Sequence, residues 1–312
     1  MSSQKNFDEN SVTLLELLQW LWRDKLVIII IVAVFSVASV YYALSQADEY
    51  KADAILSPSN SQPRPGLGGE LGGLAAIAGV NLGSSDSGQV ALAIEVMQSR
   101  SFISEFIERH ELVIPIMASI DWNSSEDKLI YDPEIYDVNT QQWLRPKRGL
   151  RKEKPSFQEA YEKFVTDIFT ISKDKESNSY TVSMMHYSPY LAERWVNLII
   201  TDINKEMRKR AIVEASNNLT YLNLQLDKTS VVEMHSTLYE LVKEQTKSLM
   251  LASAQEEFVF KIVDPAVTPE MKVKPKRALL CIIGSILGLV LGMAVSFIRF
   301  ILRKDREKLQ LQ

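Results

Sequence analysis

Two uninterrupted apolar runs, Leu26 to Leu44 and Ala278 to Ile298, constrain this 312-residue chain more than any other feature. Each is long enough to cross about 30 Å of hydrocarbon as a helix, the form in which a single segment satisfies its own backbone hydrogen bonds in lipid. They divide the chain into a tail at 1–25, a first span at 26–44, a large section at 45–277, a second span at 278–298 and a tail at 299–312. Two crossings place both tails on one side. The first run holds no charge between Lys25 and Asp48. It separates Trp20 and Trp22 from Tyr41 and Tyr42 by about 30 Å, an aromatic belt at each interface. A cleaved signal peptide fits less well, because the run begins late, is too long, and lacks a small-residue cleavage motif before Asp48.

The second run carries Gly284, Gly288 and Gly292, a small residue at every fourth position, with bulky Leu287 and Leu291 elsewhere. Such a stripe lets another helix backbone approach closely, so we expect helix pairing in the membrane; the alternative is the general abundance of glycine in membrane helices. Lys and Arg near the span ends are equally numerous on the tail and loop sides, so the positive-inside rule does not orient the chain. Long domains cross membranes largely regardless of charge, which allows the large section to lie outside the cytoplasm.

That section is long enough for one or two packed domains. A net charge of −4 carries no basic signature for nucleic acid. The single cysteine, Cys281, lies inside the second span, which excludes an intrachain disulfide and a cysteine metal site. His110, His186 and His235 show no metal or catalytic spacing. We therefore expect no cofactor and no metal. Carboxylate pairs such as Asp132 and Glu134 are commonplace at this charge content and do not mark a glycosidase.

Before the first span, Thr13 to Glu16 forms a capping box with Val12 and Leu17 as its staple; the following helix lies in the interface or simply extends the span. After it, Tyr50 to Leu56 reads as a strand ending at Pro58. Most of the 12 glycines then fall between Gly66 and Gly88. No Gly-Lys-Ser/Thr closes that segment, which excludes a P-loop; its apolar residues suggest a mobile stretch that packs on a neighbour or the bilayer. Helical spacing of Val90, Ile94, Met97, Phe102, Phe106 and Ile107 predicts one helix from Gln89 to His110. The polar stretch Asp121 to Pro155 has no clear assignment. Its cations Arg145, Lys147, Arg148, Arg151, Lys152 and Lys154 beside Trp143 read as a solvated loop, with an anionic glycan or lipid headgroup as the alternative ligand. Ser156 to Glu159 is a capping box opening a helix through Phe164.

Ile168 to Ser172 and Tyr180 to Tyr187 flank a polar turn and predict an antiparallel hairpin. Ser188 then stands at an N-cap and Pro189 at the first helical position. From Tyr190 to Asp264 there is neither glycine nor proline. Apolar residues step by three or four through Leu219, Leu222 and Leu226, then resume in a new phase at Val231, Met234, Leu238 and Leu241. With Ser230 to Glu233 as a further capping box, this predicts an antiparallel helical hairpin turning near Asp227 to Ser230; one continuous helix is the runner-up. Phe258 to Val263 follows as a strand joining the earlier ones. Pro265, Pro269 and Pro275 make the descent to the second span a stiff extended connector.

The layout resembles the polysaccharide co-polymerase family, the Wzz-type chain-length determinants. The matching pieces are Leu14 to Leu18 with Trp22-Arg23 and Lys25 before the first span, the strand after it, and Ser188-Pro189 leading into the long helix. The Pro265, Pro269 and Pro275 segment entering a glycine-bearing second span completes them. The resemblance implies an α+β fold in which two membrane helices bracket a periplasmic base (about 45–187 and 256–264) bearing a helical arm (about 188–256), with the connector at 264–276. It also implies an inner-membrane location with both termini cytoplasmic, assembly as a homo-oligomeric ring, and action with a membrane polymerase on a growing lipid-linked polysaccharide such as lipopolysaccharide O-antigen. The helical arm looks short for the lipopolysaccharide O-antigen members, and the Gly66 to Gly88 segment with the Phe258 to Pro269 region looks closer to members serving exopolysaccharide or capsule. Some relatives carry a fused cytoplasmic tyrosine kinase, which residues 299–312 are too few to form. A two-span sensor would need a cytoplasmic output domain and is the weaker alternative.

Overall fold

The computed structural model describes residues 22–59, 85–228 and 232–310, the side chains of 85–87, 232–233 and 303–310 excepted. The Thr13 capping box, nearly all of the glycine-rich segment, and Ser230 and Val231 at the predicted arm turn lie outside the described residues. The chain forms two compact units, a helix pair (Met1–Asp48 with Val273–Gln312) and a larger α+β unit (Glu49–Lys272).

In the larger unit the main sheet runs in the order β6 (Phe169–Lys173), β7 (Tyr180–His186), β1 (Glu49–Pro58), β8 (Phe260–Asp264), each neighbour antiparallel to the next. β1 alternates as a half-covered strand should, burying Ala52, Ala54 and Leu56. Its register sets Ala54 against Val182 and Leu56 against Tyr180, so both strands turn their apolar side chains to one face.

That face is covered by α2 (Ser85–Gln98), α3 (Arg100–Arg109), α4 (Val113–Met117), α5 (Phe157–Lys163) and the first half of α6 (Pro189–Lys228). The single helix expected from Gln89 to His110 is two. Ser99 adopts an extended backbone (ψ 146°) and its side chain accepts from the Phe102 amide, capping α3 and breaking the path from α2. Apolar periodicity runs through such a break because both helices bury one face in the same core. The Ser156 capping box forms with Glu159 as read, and α5 continues as a π-helical turn over Phe164–Ile168. Phe164 sits 5.9 Å from Phe106 and stacks on Phe169 at 5.8 Å, tying α3, this turn and β6 together.

The unassigned stretch holds two small hairpins, β2 (Ser119–Asn123) with β3 (Lys128–Tyr131), and β4 (Tyr136–Asp137) with β5 (Gln142–Trp143). Short strands with Asx-type turns at Asn123 and Asp137 are too brief for a period to show in sequence.

α6 and α7 (Val232–Ala254) pack side by side as an antiparallel hairpin. At about 1.5 Å per residue α6 is about 60 Å long. Its two halves differ in surroundings. Trp195, Val196, Ile199, Ile200, Ile203 and Met207 are buried in the base, whereas beyond them Ala215 is the one residue as deeply enclosed among those described. The arm therefore emerges after Met207 rather than at residue 188, because the first five turns serve as the central helix of the base.

Candidate functional site

Within the helix pair, α1 (Lys25–Ser45) and α8 (Arg277–Gln310) are each long and apolar enough to cross a membrane, and most of each apolar stretch is unburied. The glycine stripe faces α1. A Cβ at Gly284 would lie 2.6 Å from Ser39 Oγ; at Gly288, 2.8 Å from Phe35 Cβ and 3.2 Å from Val32 Cα; at Gly292, 3.3 Å from Ile28 Cα. Leu287 and Leu291 point away and are exposed. The neighbour that the stripe admits is thus the chain's own first span.

Serines escaped the sequence reading. Ser36 and Ser285 meet across the helices at 3.0 Å, and Ser296 donates to Asp24 at 3.1 Å with both side chains buried. Ser296 continues the glycine spacing one step further, and Ile28, Val32, Phe35 and Ser39 recur by three or four on α1; those two rhythms were the available signal. At the other end Arg277 binds Asp48 at 2.9 Å and donates to the Ala43 carbonyl at 3.2 Å, so a charged pair and an Asp–Ser bond close the two ends.

On the arm, Leu219, Leu222 and Leu226 of α6 are half-buried, as is Leu238 of α7. Met234 and Leu241, expected on the same packed face, point outward at 54% and 43% exposure. The packed face of α7 instead runs through Leu238, Val242, Gln245, Thr246, Leu249 and Ala252. The misreading arises because α7 is apolar on more than one side, so Met234, Leu238 and Leu241 keep helical spacing while drifting off the seam. The outward faces also expose Val213, Tyr221, Leu224 and Tyr239.

The arm is rooted by Asn204 at the start of β8: its Nδ2 donates to the Phe260 carbonyl at 2.9 Å, and its Oδ1 accepts from the Val259 and Phe260 amides at 2.9 and 3.0 Å. Nearby, buried Asp202 accepts from Arg109 and pairs with His110, each at 2.9 Å, joining α6 to the end of α3. In the connector, Pro265 and Pro269 flank the buried Ala266 and a bond from Thr268 to Glu193 of α6; Pro275 follows a short strand, β9 (Lys272–Lys274).

The histidines are placed structurally. His186 is enclosed by Trp195 and Tyr187; its Nδ1 accepts from the Ser188 amide at 3.2 Å and its Nε2 faces the Pro115 carbonyl at 3.3 Å. Burial pulls it down to about 4, against the opposing pull of the Pro115 carbonyl, so it is neutral at pH 7. His235 lies beside Tyr239 on α7. Among the described residues no three His, Cys, Asp or Glu side chains gather to hold a metal ion. Of the basic cluster, Arg145 is a structural residue: it grips Glu159 at 2.6 and 2.9 Å, and that bond holds the Glu159 carboxyl down to about 2.

Two family models match the chain. "Wzz: Chain length determinant protein" covers residues 10–110, and "GNVR: G-rich domain on putative tyrosine kinase" covers 217–301. The first takes in the first span, β1, α2 and α3; the second takes in the distal arm, β8, the connector and the second span. Among curated proteins, the tyrosine-protein kinase etk of Escherichia coli (strain K12) is 31% identical over 103 residues, and the same protein of strain O157:H7 matches equally. The match covers 33% of this chain and only 14% of the kinase. Among solved structures, a full-length bacterial polysaccharide co-polymerase is 15% identical, covering 94% of this chain and 99% of that one, with a TM-score of 0.40. A fragment of WzzB, the polysaccharide co-polymerase from Salmonella Typhimurium, is 10% identical, covering 73% of this chain and 100% of that one, with a TM-score of 0.26.

Proposed function

We propose that this chain is a Wzz-type chain length determinant that regulates how long a bacterial surface polysaccharide grows, and does so through binding and geometry rather than by making or breaking a glycosidic bond. One observation carries the reading: the chain-length-determinant model falls on the first span and the strand leaving it, while the second model falls on the distal arm through the second span. The two matches thus leave only residues 111–216 between them.

In this reading α1 and α8 anchor the protein in the bacterial inner membrane, the base and arm are periplasmic, and both tails are cytoplasmic. The glycine stripe keeps the two anchors paired. The exposed apolar side chains of the arm, Tyr221, Leu224, Met234 and Leu241 among them, are covered by neighbouring copies in a cyclic homo-oligomer, since single helices expose so much apolar surface only when something else covers it. The partners are a membrane polymerase and its lipid-linked product. Lipopolysaccharide O-antigen is the first candidate polymer. The match to a domain found on tyrosine kinases favours, as a second reading, the branch that serves exopolysaccharide or capsule.

Gel profiles of surface polysaccharide made with and without the chain test the function, and incubation of the purified protein with isolated polysaccharide tests the non-catalytic mechanism. Turnover of the polymer by the protein alone would contradict it.

A further inference from the structure

Between β5 and α5 the chain makes an excursion at 145–154 that neither family model covers. Its root is locked. Arg145, besides gripping Glu159, donates through Nε to the Glu153 carbonyl at 2.8 Å. Its tip is a closed turn: the Arg148 amide donates to the Arg151 carbonyl at 3.1 Å and the Arg151 amide returns a bond of 3.0 Å, with Gly149 at φ +60° supplying the left-handed residue the turn requires. Leu150, at the apex, is 101% exposed, and Leu144 at the base of the excursion is 52% exposed. Around them stand Arg148, Lys152 and Lys154, which form no ion pair among the described residues, while Lys147 reaches Glu153 at an exposed 3.4 Å.

A leucine held wholly in water at the tip of a braced turn, ringed by free cations, matches one kind of surface: apolar within and anionic outside. A bilayer containing anionic lipid has that profile, and basic residues beside an inserted apolar side chain bind it by the same two contributions, burial and attraction to phosphate. The base is also tethered at both ends to helices long enough to span a bilayer, which keeps the effective lipid concentration high enough for a small contact to be occupied. We propose that the excursion at 145–154 is a docking finger for an anionic membrane surface, Leu150 entering the headgroup layer while Arg148, Lys152 and Lys154 pair with lipid phosphates. The proposal rests on the membrane anchoring described above, but not on control of polymer length.

Two single-cysteine forms of the full chain separate these dependencies. One keeps the native Cys281 in the second span, and the other combines Leu150→Cys with Cys281→Ala. Each carries a nitroxide spin label and is placed in nanodiscs of phosphatidylcholine alone or with phosphatidylglycerol, and collision with oxygen and with a water-soluble nickel relaxer is measured. The label at 281 should be oxygen-accessible and shielded from nickel in both lipids. The label at 150 should lose most of its nickel collisions only when phosphatidylglycerol is present, and regain them at high salt or with Arg148→Glu and Lys152→Glu. A label at 150 that stays nickel-accessible in both lipids overturns the finger. So does equal shielding in both, which would indicate a second protein copy, or shielding that appears only when an anionic polysaccharide is added. A nickel-accessible label at 281 would instead overturn the anchoring itself.

Discussion

At the scale of single residues, Gly288 is tightly constrained, because a β-carbon there meets both the Phe35 side chain and the Val32 backbone. Leucine would force the helices apart. In a Cys281→Ala background, Ser36→Cys with Ser285→Cys should crosslink within one chain, since the two hydroxyls lie 3.0 Å apart. Adding Gly288→Leu should remove most of that crosslink, as read by gel mobility after oxidation; an undiminished crosslink would show that the stripe is not needed for the pairing. Buried His186 and half-buried Glu159 give the base an acid-sensitive stability in successive windows. His186 has a folded value of about 4, below the 6.5 of the free group, so the unfolded chain binds the extra proton and stability falls as pH drops from about 6.5 to 4. Glu159 is held at about 2 against 4.5, so its contribution is present above about 4.5 and fades towards 2. Melting temperature against pH should lose its upper slope in His186→Gln and its lower slope in Glu159→Gln.

At the scale of elements, the two faces of the arm should respond differently. Leu222→Ala and Leu238→Ala remove half-buried contacts of the hairpin seam and should each cost about 1–2 kcal/mol by denaturant unfolding. Met234→Lys and Leu241→Lys, both outward, should change folding stability by no more than about 0.5 kcal/mol yet weaken assembly, seen as a lower mass by light scattering in mild detergent. Asn204→Leu strands two amides and a carbonyl at the root of the arm and should cost about 2–4 kcal/mol. Much of this architecture was legible beforehand. Helix-breaker-free sequence from Tyr190 onward, the Ser188-Pro189 start and the alternation through Tyr180, Val182 and Met184 are local signals that tertiary packing reinforces. The break at Ser99 was not, because one core-facing stripe serves both α2 and α3. The outward turn of Met234 and Leu241 was hidden for the opposite reason, since apolar residues on two faces of α7 satisfy the same spacing. Asn204, Asp202 and the serines of the helix pair act through partners distant in sequence, which no local pattern reveals.

At the scale of the whole molecule, the proposed role asks for no glycosidic bond to be made or broken: it asks only that the base and its arm offer a surface to a growing polymer. The central claim is that this surface sets polymer length. Its most direct test is the length distribution of surface polysaccharide, resolved by gel, from otherwise identical strains with the chain, without it, and with it restored. The account predicts that removal leaves polymer being made but spreads its lengths broadly, and that restoration returns a narrow mode. An unchanged distribution would contradict the account, and so would complete loss of polymer with the polymerase intact, which would mark the chain as a component required for synthesis or export.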